Sequence, residues 1–324
     1  MRPMLLAPLE LVYGSLVRAR NVRFDRTPAQ RLRWPVVSVG NLSVGGAGKT
    51  PLVICLARLL EMAGWDADVL SRGYGRSRKT VERVDREGSP ERFGDEPLLI
   101  ARATGVPVYV GASRYEAGLL AERELPGEGK HVHLLDDGFQ HRQLSRNVDI
   151  VVVHPSDLRE RLLPAGRLRE PLSSLRRASV IVLRQEDKEL ESSLRAYARK
   201  ECLFWRVRRT VSVAIPSKRA VAFCAIARPS EFFAALPGAG VEVVERVSFR
   251  DHHRYTAADI ERLVKLGQRH DCDAFVVTGK DEVKLDAAMR LQLNAVAPLR
   301  TATLTVELED ESAALGQLLE LLRI

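Results

Sequence analysis

Ser43-Val44-Gly45-Gly46-Ala47-Gly48-Lys49-Thr50 is the stretch that decides the fold of this chain. An apolar run, Val36 to Val39, leads into it, and a helix-like run, Pro51 to Ala63, leads out. A strand, a glycine loop ending in Gly-Lys-Thr and a helix form the layout of a nucleotide phosphate-binding loop. The glycines allow backbone N–H groups to close around phosphate oxygens, and the helix N-terminus adds its positive dipole end. Lys49 is expected at the β/γ-phosphates of ATP and the Thr50 hydroxyl on Mg²⁺. Ser43 stands where the usual pattern begins with glycine.

Outward from the loop, short apolar runs alternate with helical ones. Ala67–Ser71, Val106–Val110, His131–Leu135, Asp149–Val153 and Val180–Leu183 read as strands. Asp95–Thr104 and Tyr115–Glu124 read as helices between them. Such alternation predicts an α/β fold, P-loop NTPase-like, with a mostly parallel sheet flanked by helices. The polar stretch from Ser77 to Arg92 is expected to be an exposed excursion. From about Val211 the pattern restarts, with Val241–Val247, Ala274–Thr278 and Thr301–Val306 as strands and Ala257–Arg269 and Glu311–Leu322 as helices. The division expected is a kinase-sized unit over 1–210 and a second, smaller α/β unit over 211–324.

The 324 residues are 45% hydrophobic, enough for a substantial core, and carry a net charge of +8, which favours an anionic partner. Aromatics are only 6% and no nucleic-acid-binding motif accompanies the charge, which argues against a nucleic-acid partner. Cys55, Cys202, Cys224 and Cys272 form no C-x-x-C pair and read as reduced thiols. No run of 18 apolar residues exists, so no spanning helix is expected. Leu5, Leu9, Val12, Tyr13, Leu16 and Val17 share one side of a helix, followed by six arginines between Arg18 and Arg33. That arrangement suits an interfacial membrane anchor, and equally a helix packed on its own domain.

The strand His131–Leu135 closes on Asp136 and Asp137, the layout in which a strand end presents carboxylates to Mg²⁺. His131 and His133 share one strand face and read as packing residues. Gly94-Asp95-Glu96-Pro97 by itself is helix-capping chemistry, and Asp251-His252-His253 by itself a polar turn. Pro164 to Pro171, carrying Arg167 and Arg169, reads as either a flap over anionic phosphates or a solvated loop.

Taken in order, these segments resemble the tetraacyldisaccharide 4'-kinase family. The resemblance runs from Val39-Gly40-Asn41-Leu42 through the glycine loop to Pro51, then Ser71-Arg72-Gly73-Tyr74-Gly75, Gly94 to Pro97, Asp136 to His141, Pro164 to Pro171 and Asp251-His252-His253. It implies ATP- and Mg²⁺-dependent transfer of the γ-phosphoryl group to the 4'-hydroxyl of a tetraacylated glucosamine disaccharide 1-phosphate, in lipid A biosynthesis. It also implies peripheral attachment to the cytoplasmic face of the bacterial inner membrane, which tips the reading of the N-terminal helix toward lipid contact. Under it, Ser43 to Thr50 hold ATP, and Thr50, Asp136 and Asp137 serve the metal. Asp95 becomes the base for the sugar hydroxyl with His252 as its partner, while Arg72, Arg167 and Arg169 are lid or substrate residues. No feature calls for an obligate protein partner. One departure is Thr278-Gly279-Lys280-Asp281, where the family reads Thr-Glu-Lys-Asp. The competing reading is a switch or partitioning ATPase with no lipid acceptor. Such loops usually carry a further lysine at the position of Val44, which counts against it.

Overall fold

β1 (Val36–Asn41) is buried at all six positions, which places it in the middle of a sheet covered on both faces. The computed structural model describes residues 6–323, and in it twelve strands form one sheet. After β1 come β2 (Asp66–Ser71), β3 (Glu82–Arg83), β4 (Val108–Val110), β5 (His131–Asp136), β6 (Val148–Val152) and β7 (Val180–Arg184). β8 (Leu203–Val213), β9 (Ser217–Cys224), β10 (Val241–Ser248), β11 (Ala274–Thr278) and β12 (Leu299–Leu308) complete it. The spatial order is β10-β9-β11-β12-β8-β7-β6-β1-β5-β2-β4-β3. Every pair is parallel except β3 with β4 and β8 with β12. The fold is therefore α/β with a mostly parallel sheet.

The principal helices are α1 (Ala7–Arg26), α2 (Lys49–Met62), α3 (Asp95–Thr104), α4 (Arg114–Glu124), α5 (Pro229–Ala235), α6 (Ala257–Arg269), α7 (Ala287–Asn294) and α8 (Glu311–Leu322). β1 pairs with β5 on one side and β6 on the other. The chain leaves β1 in one direction and later returns on the other side, so the carboxyl end of β1 is a switch point of the kind where α/β sheets bind ligands. α2 starts there. Its Leu52, Val53, Leu56, Ala57 and Leu60 pack on Val37, Val39, Val132 and Leu134, which anchors the loop before it.

The sheet is continuous through residue 210, which lies inside β8. Beyond it, Val221, Phe223 and Phe275 pack with Ile260 and Leu263 of α6. α8 returns to the first half, where Leu318 and Leu322 join the same core as Val148 and Val152. The excursion from Ser77 to Arg92 holds β3 and is followed by a buried Phe93, whose ring tucks against Gly88. All four cysteines are buried and free.

α1 does not present its apolar residues as one free side: Val17 is buried and Tyr13 is tied to the body of the protein. Tyr13 donates to the Arg169 carbonyl, Asn21 donates to Glu170, and Glu10 pairs with Arg161 at 2.5 Å, so one face is tied to the 160–170 segment. Leu9, Val12 and Leu16 are more than half exposed on the adjoining side. Leu5 lies outside the described residues. No described helix is long and apolar enough to cross a membrane.

Candidate active site

The glycine loop lies where β1 hands over to α2. Gly45 and Gly48 take φ of 102° and 90°, a left-handed backbone that other residues rarely adopt. Gly48 is the residue before the first turn of α2, so the free N–H groups of that turn open onto the loop. Lys49 Nζ lies 3.0 Å from Asn41 Oδ1 and 3.5 Å from Asp137 Oδ1. The Thr50 hydroxyl is 3.5 Å from Asp136 Oδ1. Ser43, Val44, Gly46 and Ala47 line the same cleft, which measures about 1360 Å³ and takes residues from both halves of the sheet.

Asp136 ends β5 and is buried; its Oδ2 has no hydrogen-bond partner. Burial raises its pKa to about 7, and repulsion from Glu96 and Asp137 adds to the rise. Asp137, with φ of 53°, turns the other way. Burial opposes its ionisation, but Lys49 and Arg169 outweigh it and pull the pKa well below the usual carboxylate range. One hydroxyl and two carboxylates, with an orphaned buried oxygen among them, form the hard oxygen donor set that Mg²⁺ takes.

Arg169 donates to both carboxylate oxygens of Asp137, at 2.8 and 2.7 Å, and to Asn41 Oδ1 at 2.5 Å. Arg167 is fixed by backbone: the Val44 N–H donates to its carbonyl at 2.8 Å, and its guanidinium donates back to the Val44 carbonyl. In this conformation the 164–171 segment is a strut against the phosphate loop. Arg72 follows β2 and faces the cleft exposed.

Asp95 opens α3 and is buried. Its Oδ2 lies 3.0 Å from His252 Nδ1, although the two residues are 157 positions apart. Lys284 and Lys280 approach the same oxygen at 3.7 and 3.9 Å. Burial pushes the Asp95 pKa up, and the His252 hydrogen bond with the two ammonium groups overcomes it, leaving it at about 2. Asp95 is thus an ionised carboxylate at neutral pH, held next to Glu96 and His252, which line the cleft that holds the phosphate loop.

Several participants carried no role in the sequence reading. Asn41 holds Lys49 and Arg169 together. Arg114 is buried beside Asp136 and Asp137; burial lowers its pKa to about 10, with Asp137 opposing and Arg72 adding. Lys280 belongs to a motif singled out only for its missing glutamate, and Lys284 lies three residues beyond that motif. His131 and His133 are both buried. Trp34 stacks on His131 at 4.0 Å, and His133 pairs with Asp68 at 2.8 Å. These histidines pack at the opposite end of β5 from Asp136.

Comparison with known proteins bears on the same cleft. Residues 2–323 match the family model of LpxK, tetraacyldisaccharide-1-P 4'-kinase. A tetraacyldisaccharide 4'-kinase of Koribacter versatilis is 46% identical over 97% of this chain and 98% of its own. One from Azoarcus is 39% identical over 80% and 79%. A solved structure of LpxK from Aquifex aeolicus in complex with ATP superposes with a TM-score of 0.76 at 31% identity, covering 99% of this chain and all of that one. With the phosphate loop, the acid pair and the whole-length match in agreement, the chain belongs to the tetraacyldisaccharide-1-P 4'-kinase family.

Proposed function

We propose that this protein transfers the γ-phosphoryl group of ATP to the 4'-hydroxyl of a tetraacylated glucosamine disaccharide 1-phosphate, working from the cytoplasmic face of the inner membrane. The observation that carries the chemistry is that Asp95, an ionised carboxylate, is hydrogen-bonded to His252, which lines one cleft with Lys49 and the Asp136–Asp137 pair.

Phosphoryl transfer asks a protein mainly for positioning and charge compensation. Ser43 to Thr50 cradle the phosphates with backbone N–H groups, and Lys49 exchanges Asn41 and Asp137 for the β/γ-oxygens. Thr50, Asp136 and Asp137 would hold Mg²⁺, which when bound would offset phosphate charge. Arg169 neutralises Asp137 and braces the loop, and Arg167 fixes the loop's edge. Asp95 accepts the proton of the sugar hydroxyl as the new P–O bond forms, which turns a poor nucleophile into an adequate one. His252 orients that carboxylate. Arg72, exposed in the cleft, suits an anionic group of the acceptor.

We infer that α1 contributes the lipid-facing side. Its tied face fixes the helix to the catalytic unit, while Leu9, Val12 and Leu16 remain free to enter the headgroup boundary, with Arg18 and Arg23 exposed nearby. We also assign residues 1–210 to a nucleotide-binding unit and 211–324 to a smaller one that supplies His252 across the cleft. The test is radiolabelled γ-phosphate transfer to the lipid disaccharide in detergent micelles. Wild type labels the lipid and Lys49→Ala does not; ATP hydrolysis with no labelled lipid would favour an ATPase without acceptor.

A further inference from the structure

Lys280 follows β11 at the base of the cleft, and no step of the reaction has used it. Its Nζ lies 3.1 Å from Glu96 Oε1, 3.3 Å from His252 Nε2, and 3.9 Å from both Asp95 Oδ2 and Asp251 Oδ1. The side chain is 19% exposed. Burial works against its charge, but Glu96, Asp95 and Asp251 overcome it and hold the ammonium protonated.

His252 is surrounded by a defined set of groups. Asp95 faces Nδ1, and Glu96 lies beside it at the start of α3. Lys280 faces Nε2, with Asp251 4.0 Å from the same nitrogen. Lys284 reaches Asp95 from behind, and the Tyr74 ring covers the imidazole at 5.0 Å. The backbone of His252 is left-handed, with φ of 60°, and its N–H donates to the Ala225 carbonyl at 3.2 Å.

An ammonium has three donors and no acceptor. The ring nitrogen facing it must therefore be the bare one. That leaves the single ring proton on Nδ1, pointing at the Asp95 carboxylate 3.0 Å away. The other tautomer would set an N–H against an ammonium on one side and a lone pair against a carboxylate on the other. We propose that Lys280 is a positioning residue that fixes His252 in the neutral Nδ1–H tautomer and, through Glu96, joins the His252 turn to the helix carrying Asp95. The inference rests on the reading of Asp95 as the base. Its consequence is that the His252 Nδ1–H is held on the Asp95 carboxylate, which sets the direction in which that carboxylate presents its other oxygen.

Two variants test this, Lys280→Met, which keeps length and loses the donor, and Lys280→Arg, which keeps the donor. The first readout is imidazole ¹⁵N NMR of the full-length protein, with the His252 signals assigned by loss in His252→Gln. The second is the split between kcat and the KM for ATP. Wild type should show the Nδ1–H tautomer at neutral pH. Lys280→Met should lose that fixed tautomer, and its kcat should fall about tenfold. Its KM for ATP should stay within about twofold. Lys280→Arg should restore both the tautomer and kcat. An Nε2–H tautomer in wild type overturns the proposal without need of any variant, as does a Lys280→Met variant that keeps the wild-type tautomer and kcat. The NMR readout needs no turnover. Failure of the base reading would show instead as full kcat in Asp95→Asn, with the tautomer result unchanged.

Discussion

Replacing Asp95 and His252 singly and together probes whether the pair works as one unit. Loss of a positioned general base costs about 10²–10⁴-fold in rate, or roughly 3–5 kcal/mol, and that is the expectation for Asp95→Ala. His252 touches the reaction only through its 3.0 Å bond to Asp95. Hydrogen bonds to charged groups are worth about 1.5–3 kcal/mol. Lys284 and Lys280 remain at 3.7 and 3.9 Å, so the carboxylate stays ionised without the imidazole. His252→Ala should therefore lose about 10–100-fold in kcat, the lower share of the pair. In the double variant His252 has nothing left to orient, and the loss should equal that of Asp95→Ala alone. The coupling energy read from the cycle should then be about 1.5–3 kcal/mol. Labelled phosphate transfer under saturating ATP gives kcat, and calorimetric titration gives ATP affinity, which should change by less than about threefold. Fully additive losses, or an effect falling mainly on ATP binding, would refute the pairing.

Three further outcomes follow from separate parts of the structure. Asp137→Asn removes the carboxylate that Lys49 and Arg169 contact, so the Mg²⁺ concentration for half-maximal rate should rise at least about tenfold; an unchanged Mg²⁺ dependence would remove Asp137 from the metal site. Serine at Leu9, Val12 and Leu16 together should weaken binding to anionic vesicles and raise the KM for lipid, with melting temperature and KM for ATP unchanged, because those side chains are exposed and the tied face is untouched. The third concerns pH and stability at the far end of β5. Burial lowers the pKa of His133, but Asp68 and Glu122 outweigh it and raise it from 6.5 to about 9. A raised folded-state pKa stabilises fully below the unfolded value, and that contribution disappears as pH climbs through the folded value. Urea unfolding should therefore show up to about 3 kcal/mol lost between roughly pH 6.5 and 9, and His133→Gln should flatten that slope; a wild-type slope equal to that of the variant would contradict the charged pair.

The parts legible in the sequence were those written locally. The glycine loop, the strand before it and the helix after it are consecutive, so periodicity and residue type located them to within a few positions. Asp136 and Asp137 were legible for the same reason, at the end of an apolar run. The Asp95–His252 contact was not, because 157 residues separate its members and each sits in a motif that reads alone as a cap or a turn. Only the family resemblance joined them. Lys280 stayed silent because a lysine in a polar turn gives no sign of the three carboxylates and the imidazole that fold around it. The antiparallel pairing of β8 with β12, which makes one sheet of the two halves, depends on strands about a hundred positions apart that carry no mark of their partner. The N-terminal helix was ambiguous for a physical reason that persists in the fold: one face is tied down by Glu10, Tyr13 and Asn21, and its neighbour is apolar and uncovered.

Activation of a sugar 4'-hydroxyl by this cleft, for attack on the γ-phosphorus of ATP, is tested most directly by pairing the tetraacyldisaccharide 1-phosphate with its 4'-deoxy analogue in mixed micelles, with γ-labelled ATP and positional analysis of the lipid product. Label is expected at the 4' position of the first acceptor and none on the analogue. Label on the 4'-deoxy lipid, or at another position of the natural acceptor, would contradict that activation.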